Sequence, residues 1–293
     1  MSIILVTGCN GQLGYELQML SDVMENSDHF LFLDKSQLDI TDKSAIEKIF
    51  AENKIISVVN AAAYTAVDLA EKEKDLCHKV NVDGARNLAE VSADHKVKFI
   101  HVSTDFVFDG SKSTPYKEDD AKNPLGVYGS TKSQGEDEVL KAYPNSLIIR
   151  TSWVYSSYGK NFFTTILRLG QEKEEIKVVA DQIGTPTWAR DLAWFVYEAL
   201  GTNASGIYHF TNEGVASWYD FAHTIVDAMG LDCNVLPITT EQYPTAAKRP
   251  SYSVLNKEKT RKEFGFENNH WRDAVLALAA ELMDGMDEGE EEE

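Results

Sequence analysis

The run "IILVTG", Ile3 to Gly8, passes directly into "TGCNGQLG" and then into a helix-periodic stretch from Leu13 to Met24. Glycines at Gly8, Gly11 and Gly14 on such a junction constrain the fold more than any other feature of the chain. They permit a tight turn, close backbone approach to a pyrophosphate, and close packing of helix on strand. The spacing is GxxGxxG rather than the commoner GxGxxG, but the physical demands are the same. The helix start would turn free N–H groups and a positive dipole end towards an anion. Asn10, Gln12 and Leu13 of the same loop are expected to face that ligand.

Four more apolar runs follow: "FLFLD" (Phe30 to Asp34), "ISVVNAAA" (Ile56 to Ala63), "KFIHVST" (Lys98 to Thr104) and "SLIIRTS" (Ser146 to Ser152). Continuous apolar runs of this length suit strands buried on both faces. Helical periodicity separates them, over Ser44 to Glu52, Lys72 to His95 and Ser130 to Ala142. The alternation predicts βαβ units and a Rossmann-type, doubly wound parallel α/β sheet. Beyond Trp153 the rhythm loosens. "IKVVAD" and "GIYHFTN" read as strands, while "RDLAWFVYEAL", "WYDFAHTIVDAMG" and "WRDAVLALAAELM" read as helices, with Ser217 an N-cap. No repeat or linker divides the chain, so a smaller C-terminal substrate-binding part is expected to be interwoven with the first. The expected partition is 1–152 for the dinucleotide, with 176–212 returning to it. Residues 153–175 and 213–283 would hold substrate, and Asp284 to Glu293 would form an acidic disordered tail.

That tail carries seven acidic residues of a chain whose net charge is −19, which argues against nucleic acid as a partner. No apolar run approaches the ~20 residues needed to span a bilayer, and the N-terminus lacks a basic flank, so no membrane is expected. Cys9, Cys77 and Cys233 offer neither a disulfide framework nor a CxxC metal site, and a reducing cytoplasm is the expected location.

Asp34 stands roughly 20 residues past the last glycine, where a carboxylate would take the adenosine ribose hydroxyls. Lys35 beside it could instead meet a 2′-phosphate, which leaves NADH and NADPH both open. Asp39 and Ile40 could flank the adenine, although "DITD" also reads as a helix cap. Ala61, Ala62 and Ala63 let backbone lie against a cofactor, and Tyr64, Thr65 and Asp68 would project at the carboxyl edge of the sheet. Ser103, Thr104 and Asp105 close the fourth strand at that edge. The next element, "YGSTKSQGE", sets Tyr128 and Lys132 one helical turn apart. A hydroxyl, a phenol and an ammonium together can protonate a carbonyl oxygen as hydride arrives, with the cation drawing the phenol towards working pH. Arg249, in "KRPSYS", is one of few cations in an acidic chain, and the resemblance described next would set it near a pyrophosphate-bearing substrate.

With these motifs, and with "STDFVFDG", "RTSWVYS", "DQIGTPT", "GIYHFTN" and "KRPSYSVL", the chain resembles the extended short-chain dehydrogenase/reductases over nearly its full length. More narrowly it resembles the dTDP-4-dehydrorhamnose reductase branch. The resemblance implies Thr104, Tyr128 and Lys132 as catalytic residues and NADPH or NADH as cofactor. It implies reduction of the C4 keto group of dTDP-6-deoxy-L-lyxo-4-hexulose to dTDP-L-rhamnose, and it turns Trp153 towards the sugar nucleotide. Some dimeric members hold Mg²⁺ between subunits through three glutamates. Glu16 and Glu281 match two of those positions, but the third is Arg190, whose charge would repel the metal. A monomer is therefore favoured over a dimer, and Glu16 remains the candidate ligand. A 4,6-dehydratase would need a glutamate where Phe106 stands. An epimerase of the superfamily would usually be longer and would retain its NAD. A non-catalytic NADP-binding regulator would not need the intact Thr104, Tyr128 and Lys132 set.

Overall fold

The computed structural model describes residues 2–24 and 29–290. Six strands form one wholly parallel sheet: β1 (Ile3–Thr7), β2 (His29–Leu33), β3 (Ile55–Asn60), β4 (Lys98–Thr104), β5 (Leu147–Thr151) and the strand Gly206–His209. Their spatial order is β2, β1, β3, β4, β5, then Gly206–His209. The first connection runs one way from β1 and the second crosses back, so the topological switch lies between β1 and β3.

The alternation of side chains explains why these strands read as unbroken apolar runs. Leu5, Val58, Phe99 and Ile148 point into one core, shared with the helices α2 (Lys43–Glu52) and Ala85–Asp94. Their neighbours Ile4, Val6, Val59, Ile100 and Ile149 point into another, shared with α1 (Gln12–Val23) and the helix Ala189–Leu200. A sheet covered on both faces needs apolar residues at both parities.

A third core gathers Tyr155, Phe163, Phe221 and Trp271 from the second part of the chain. Two differences from expectation arise here. "IKVVAD" does not return to the parallel sheet: Glu175–Val179 pairs with Asn234–Ile238 in a small sheet of its own. Its exposed Glu175 and Lys177 alternate with buried Ile176 and Val178, the pattern of a strand covered on one face. Only the helix Ala189–Leu200 and the strand Gly206–His209 of that region join the first part. The expected disordered tail is also revised, because the last helix runs Trp271–Glu290. The alanines, leucines, methionine and glutamate of "AVLALAAELM" are good helix formers, and the helix continues past Asp284 through "GMDEGE" in spite of its two glycines. Residues 291–293 of that tail lie outside the described residues.

Among the described residues no helix is long and apolar enough to cross a membrane. All three cysteines are free thiols.

Candidate active site

The glycine loop opens at the switch point. Gly8 has φ +74, and a Cβ there would lie 2.6 Å from the Ala62 amide nitrogen. The loops after β1 and β3 therefore touch through backbone, which explains both the glycine and the small residues Ala61, Ala62 and Ala63. A Cβ on Gly14 would lie 2.5 Å from Cys9 Cα, so this glycine seats α1 on the turn. Gly11 is the N-cap of α1 and exposed, and it has no side chain to occupy the first-turn N–H groups. Those donors are open to an anion such as a pyrophosphate.

Asn10 donates to Asp34 Oδ2 at 3.0 Å, joining the loop to the end of β2. Asp34 also accepts from the Ser36 hydroxyl and amide and the Gln37 amide, and these bonds hold its carboxyl below the usual range. A permanent anion stands there, with Lys35 exposed beside it. Gln12 instead spans to the second part of the chain, donating to Val154 O and accepting from Ser156.

One expected cofactor contact, Ser103, is corrected, and two others are limited to backbone. Leu13 and Ile40 spend their side chains on packing in the core clusters, which leaves only their backbone to meet a cofactor. The Ser103 hydroxyl donates to Glu136 Oε1 at 2.6 Å, inside a buried ion-pair network, and does not face the cleft. Asp39 accepts from the Thr41 amide and hydroxyl, while the helix cap that "DITD" also offered is Asp42, which accepts from the Ser44 and Ala45 amides.

At the end of β4, Thr104 caps a short turn, accepting from Phe106 N and donating to Asp105 Oδ1. The helix Val127–Ala142 is seated at three places, one of them that turn. Glu71 accepts from Val127 N at 2.8 Å. A Cβ on Gly129 would come within 2.2 Å of Phe106 O, and one on Gly135 within 2.2 Å of Asn81 O. Tyr128 is thereby held with its ring edge-on to Phe106, centroids 5.5 Å apart. Asn81 lies in a π-helical stretch, Lys79–Gly84, and accepts from Tyr64 N while donating to Tyr64 O and Thr131. Single-turn π segments recur at functional sites. Asn81 and Glu71 carry no local sequence signal, because their roles exist only across the tertiary contact.

The electrostatics revise one expectation. Lys132 does not draw Tyr128 down. Burial pushes the phenol well above its ordinary range, Asp105 and Cys77 add to this, and only a hydrogen bond with Thr104 opposes it. The Lys132 amine is engaged elsewhere, 2.7 Å from Val102 O and 3.3 Å from His101 Nε2. Burial draws Lys132 itself down to about 8, against Glu136 and Cys77. Asp105 is pushed up to about 6 by burial, and its Oδ2 has no partner among the described residues. The result is a protonated phenol across the neutral range, flanked by a titrating acid and a titrating base.

On the other side of the cleft, Asp68 and Arg249 meet as a bidentate pair at 3.1 and 2.7 Å. Tyr64 is anchored through Glu73 at 2.8 Å, while Thr65 is exposed at the sheet edge. Trp153 has φ +48 and stacks on Trp218 with ring centroids 3.5 Å apart. Such strain in a bulky residue points to a site. Gly184 makes room for it, since a Cβ there would sit 2.5 Å from the indole. Gly184→Ala is expected to displace Trp153, changing the near-ultraviolet circular dichroism of the stacked pair. The same variant should raise KM for a sugar nucleotide several-fold at unchanged cofactor affinity. An unmoved KM despite the spectral change would remove Trp153 from the substrate surface.

Arg190 bridges Glu16 at 3.2 Å and Glu281 at 2.5 Å, and lies over the Trp188 ring. Where Glu16 was a candidate metal ligand, a guanidinium already supplies the cation. No cluster of three or more His, Cys, Asp or Glu is placed to hold a metal among the described residues.

The family model described as "RmlD substrate binding domain" matches residues 1–283. The chain belongs to this family. It is 44% identical over 293 residues to a dTDP-4-dehydrorhamnose reductase of Aggregatibacter actinomycetemcomitans, covering 96% of this chain and 99% of that one. It is 40% identical over 287 residues to the spore coat polysaccharide biosynthesis protein SpsK of Bacillus subtilis, covering 98% and 100%. A crystal structure of dTDP-4-dehydrorhamnose reductase from Bacillus anthracis in complex with NADP superposes with a TM-score of 0.92 at 38% identity, covering 95% of this chain and 99% of that one.

Proposed function

We propose that this chain reduces the C4 keto group of dTDP-6-deoxy-L-lyxo-4-hexulose to give dTDP-L-rhamnose, as an NAD(P)H-dependent oxidoreductase. The observation that carries this reading is the placement of Thr104, Tyr128 and Lys132 at the carboxyl end of β4, on the same edge as the glycine loop. Family membership and the names of its relatives give the reaction its substrate.

Reduced nicotinamide supplies the hydride when bound. The residues of the chain do the rest. Gly8, Gly11 and the first turn of α1 take the pyrophosphate, while Asn10 and Asp34 take the adenosine ribose, with Lys35 near a 2′-phosphate. Tyr128 holds at its Oη the proton that the C4 oxygen receives, and burial keeps that proton in place at neutral pH. Thr104 lies against the phenol and would orient the carbonyl oxygen. Lys132 serves as the cation towards the nicotinamide ribose. Thr65, the Asp68–Arg249 pair and Trp153 line the substrate side, with Arg249 the guanidinium that would meet a diphosphate. In this reading the parallel sheet binds cofactor and the part around Trp153 and Trp218 binds sugar. The bridging Arg190 favours a monomer without Mg²⁺, and the free thiols favour a cytoplasmic home.

The test mixes purified protein with NADPH or NADH and the 4-keto sugar nucleotide. Loss of the reduced-nicotinamide absorbance, with dTDP-L-rhamnose as product, is expected. Cofactor binding without oxidation would overturn the reading. The preferred cofactor shows what Lys35 contributes beside Asp34.

A further inference from the structure

Lys132 sits at the end of a buried hydrogen-bond chain that the reaction scheme does not use. Thr7 Oγ1 donates to Asn60 Oδ1 at 2.8 Å, and the Ala62 amide donates to the same oxygen at 3.2 Å. An amide N–H can only donate, so the Asn60 oxygen is fixed on that side and its NH₂ group faces His101 Nδ1, 3.0 Å away. His101 Nδ1 is then the acceptor, and a neutral imidazole must carry its proton on Nε2. That nitrogen lies 3.3 Å from Lys132 Nζ. An ammonium has donors only, so an imidazole N–H facing it is a donor against a donor, whereas a neutral amine can accept from it. The four side chains are almost wholly buried, Thr7, Asn60 and His101 at 1% exposure and Lys132 at 2%, so water cannot relieve the conflict.

We propose that His101 is a positioning residue for Lys132: its Nε2–H, oriented by Asn60, holds the amine at Val102 and favours the neutral form there. The other titratable groups facing Lys132 cannot replace it in this. Cys77 is a buried thiol, hydrogen-bonded with Thr131 and Asn81. Glu136, one turn along the same helix, is already paired with Arg150, and Lys122 lies behind it. Tyr128 and Asp105 lie at the other end, around Thr104. His101 thus limits the pH range over which Lys132 is a cation, which deepens the reading of Lys132 as the cation towards cofactor and rests on it.

The experiment measures NADPH affinity from neutral to alkaline pH by fluorescence titration, which needs no sugar substrate. Wild-type affinity should fall with a midpoint that Lys132→Met abolishes. In His101→Gln an amide oxygen can turn to the ammonium, and the midpoint should rise by about one unit. In Asn60→Asp a carboxylate takes the Nδ1–H tautomer and turns the Nε2 lone pair to Lys132, so the midpoint should rise again. His101→Phe, which keeps a ring there but turns no N–H to the ammonium, decides if His101→Gln fails to fold, because the new charge of Asn60→Asp would itself raise the midpoint. An unmoved midpoint in the folded variants, including a uniform weakening at every pH, would overturn the proposal by leaving His101 a packing role only. Failure to reduce the keto sugar, with the midpoint shifts present, would overturn the proposed reaction and leave the role of His101 standing.

Discussion

Tyr128→Phe should lower kcat for keto-sugar reduction by about 10²- to 10⁴-fold, the range over which a positioned proton donor contributes. The substitution removes one hydroxyl and keeps the ring against Phe106, so fold and NADPH affinity should persist. The phenol is half-buried beside Asp105 and desolvation raises its ionisation far above the assay range, so its own titration will not limit the wild-type rate in alkali. The fall expected above about 8 belongs to Lys132, whose ammonium loses its proton there because burial disfavours the charge. Steady-state rates, run beside cofactor titrations, separate the two. A variant retaining more than a tenth of the wild-type kcat would mean that another group, with Asp105 the nearest acid, delivers the proton.

The largest stability effect is expected at Glu136. Its two oxygens accept from Arg150 Nε and Nη2, each at 2.8 Å, and Ser103 adds a third bond at 2.6 Å. Glu136 is 0% and Arg150 1% exposed. Glu136→Ala leaves a guanidinium in the core without its carboxylate, which costs about 3–5 kcal/mol. Thermal unfolding should show a Tm lower by on the order of 10 °C. Burial alone would raise the Glu136 carboxyl, but the hydrogen bond and charge of Arg150, with Lys122 and Ser103, outweigh it and hold it below its ordinary value. A depressed folded value stabilises above the unfolded pKa of ~4.3 and is lost as pH falls through the folded one. The gap between wild type and variant should therefore be full at neutral pH and close in acid. Arg150→Met should cost a similar amount, and the double variant less than the sum. A Tm change of only a degree or two for Glu136→Ala would show that water or Glu118 O already satisfies Arg150.

The same ion pair explains one limit of reading the chain as text. Ser103 stands next to Thr104 at a strand end and looks like a site residue, but successive strand residues point to opposite faces. One hydroxyl therefore enters the Glu136 network while the next stays at the cleft. At Leu13 and Ile40, too, the side chain packs inward and only backbone is left to face a ligand.

What the sequence determined by itself is local. A glycine with positive φ after the first strand, apolar residues at both parities, and a tyrosine and lysine one turn apart are properties of neighbouring residues. They define the parallel sheet, the glycine turn and the helix that carries Tyr128 and Lys132. The tertiary structure decided the long-range pairings: Asp68 with Arg249, Trp153 on Trp218 with Gly184 beneath, Arg190 between Glu16 and Glu281, and Asn60 and His101 behind Lys132. It also decided the charge states, because burial sets the pKa of Tyr128, Lys132 and Asp105, and burial is a property of everything packed around a group. Asp68 and Arg249 are 181 residues apart, and no periodicity encodes that meeting.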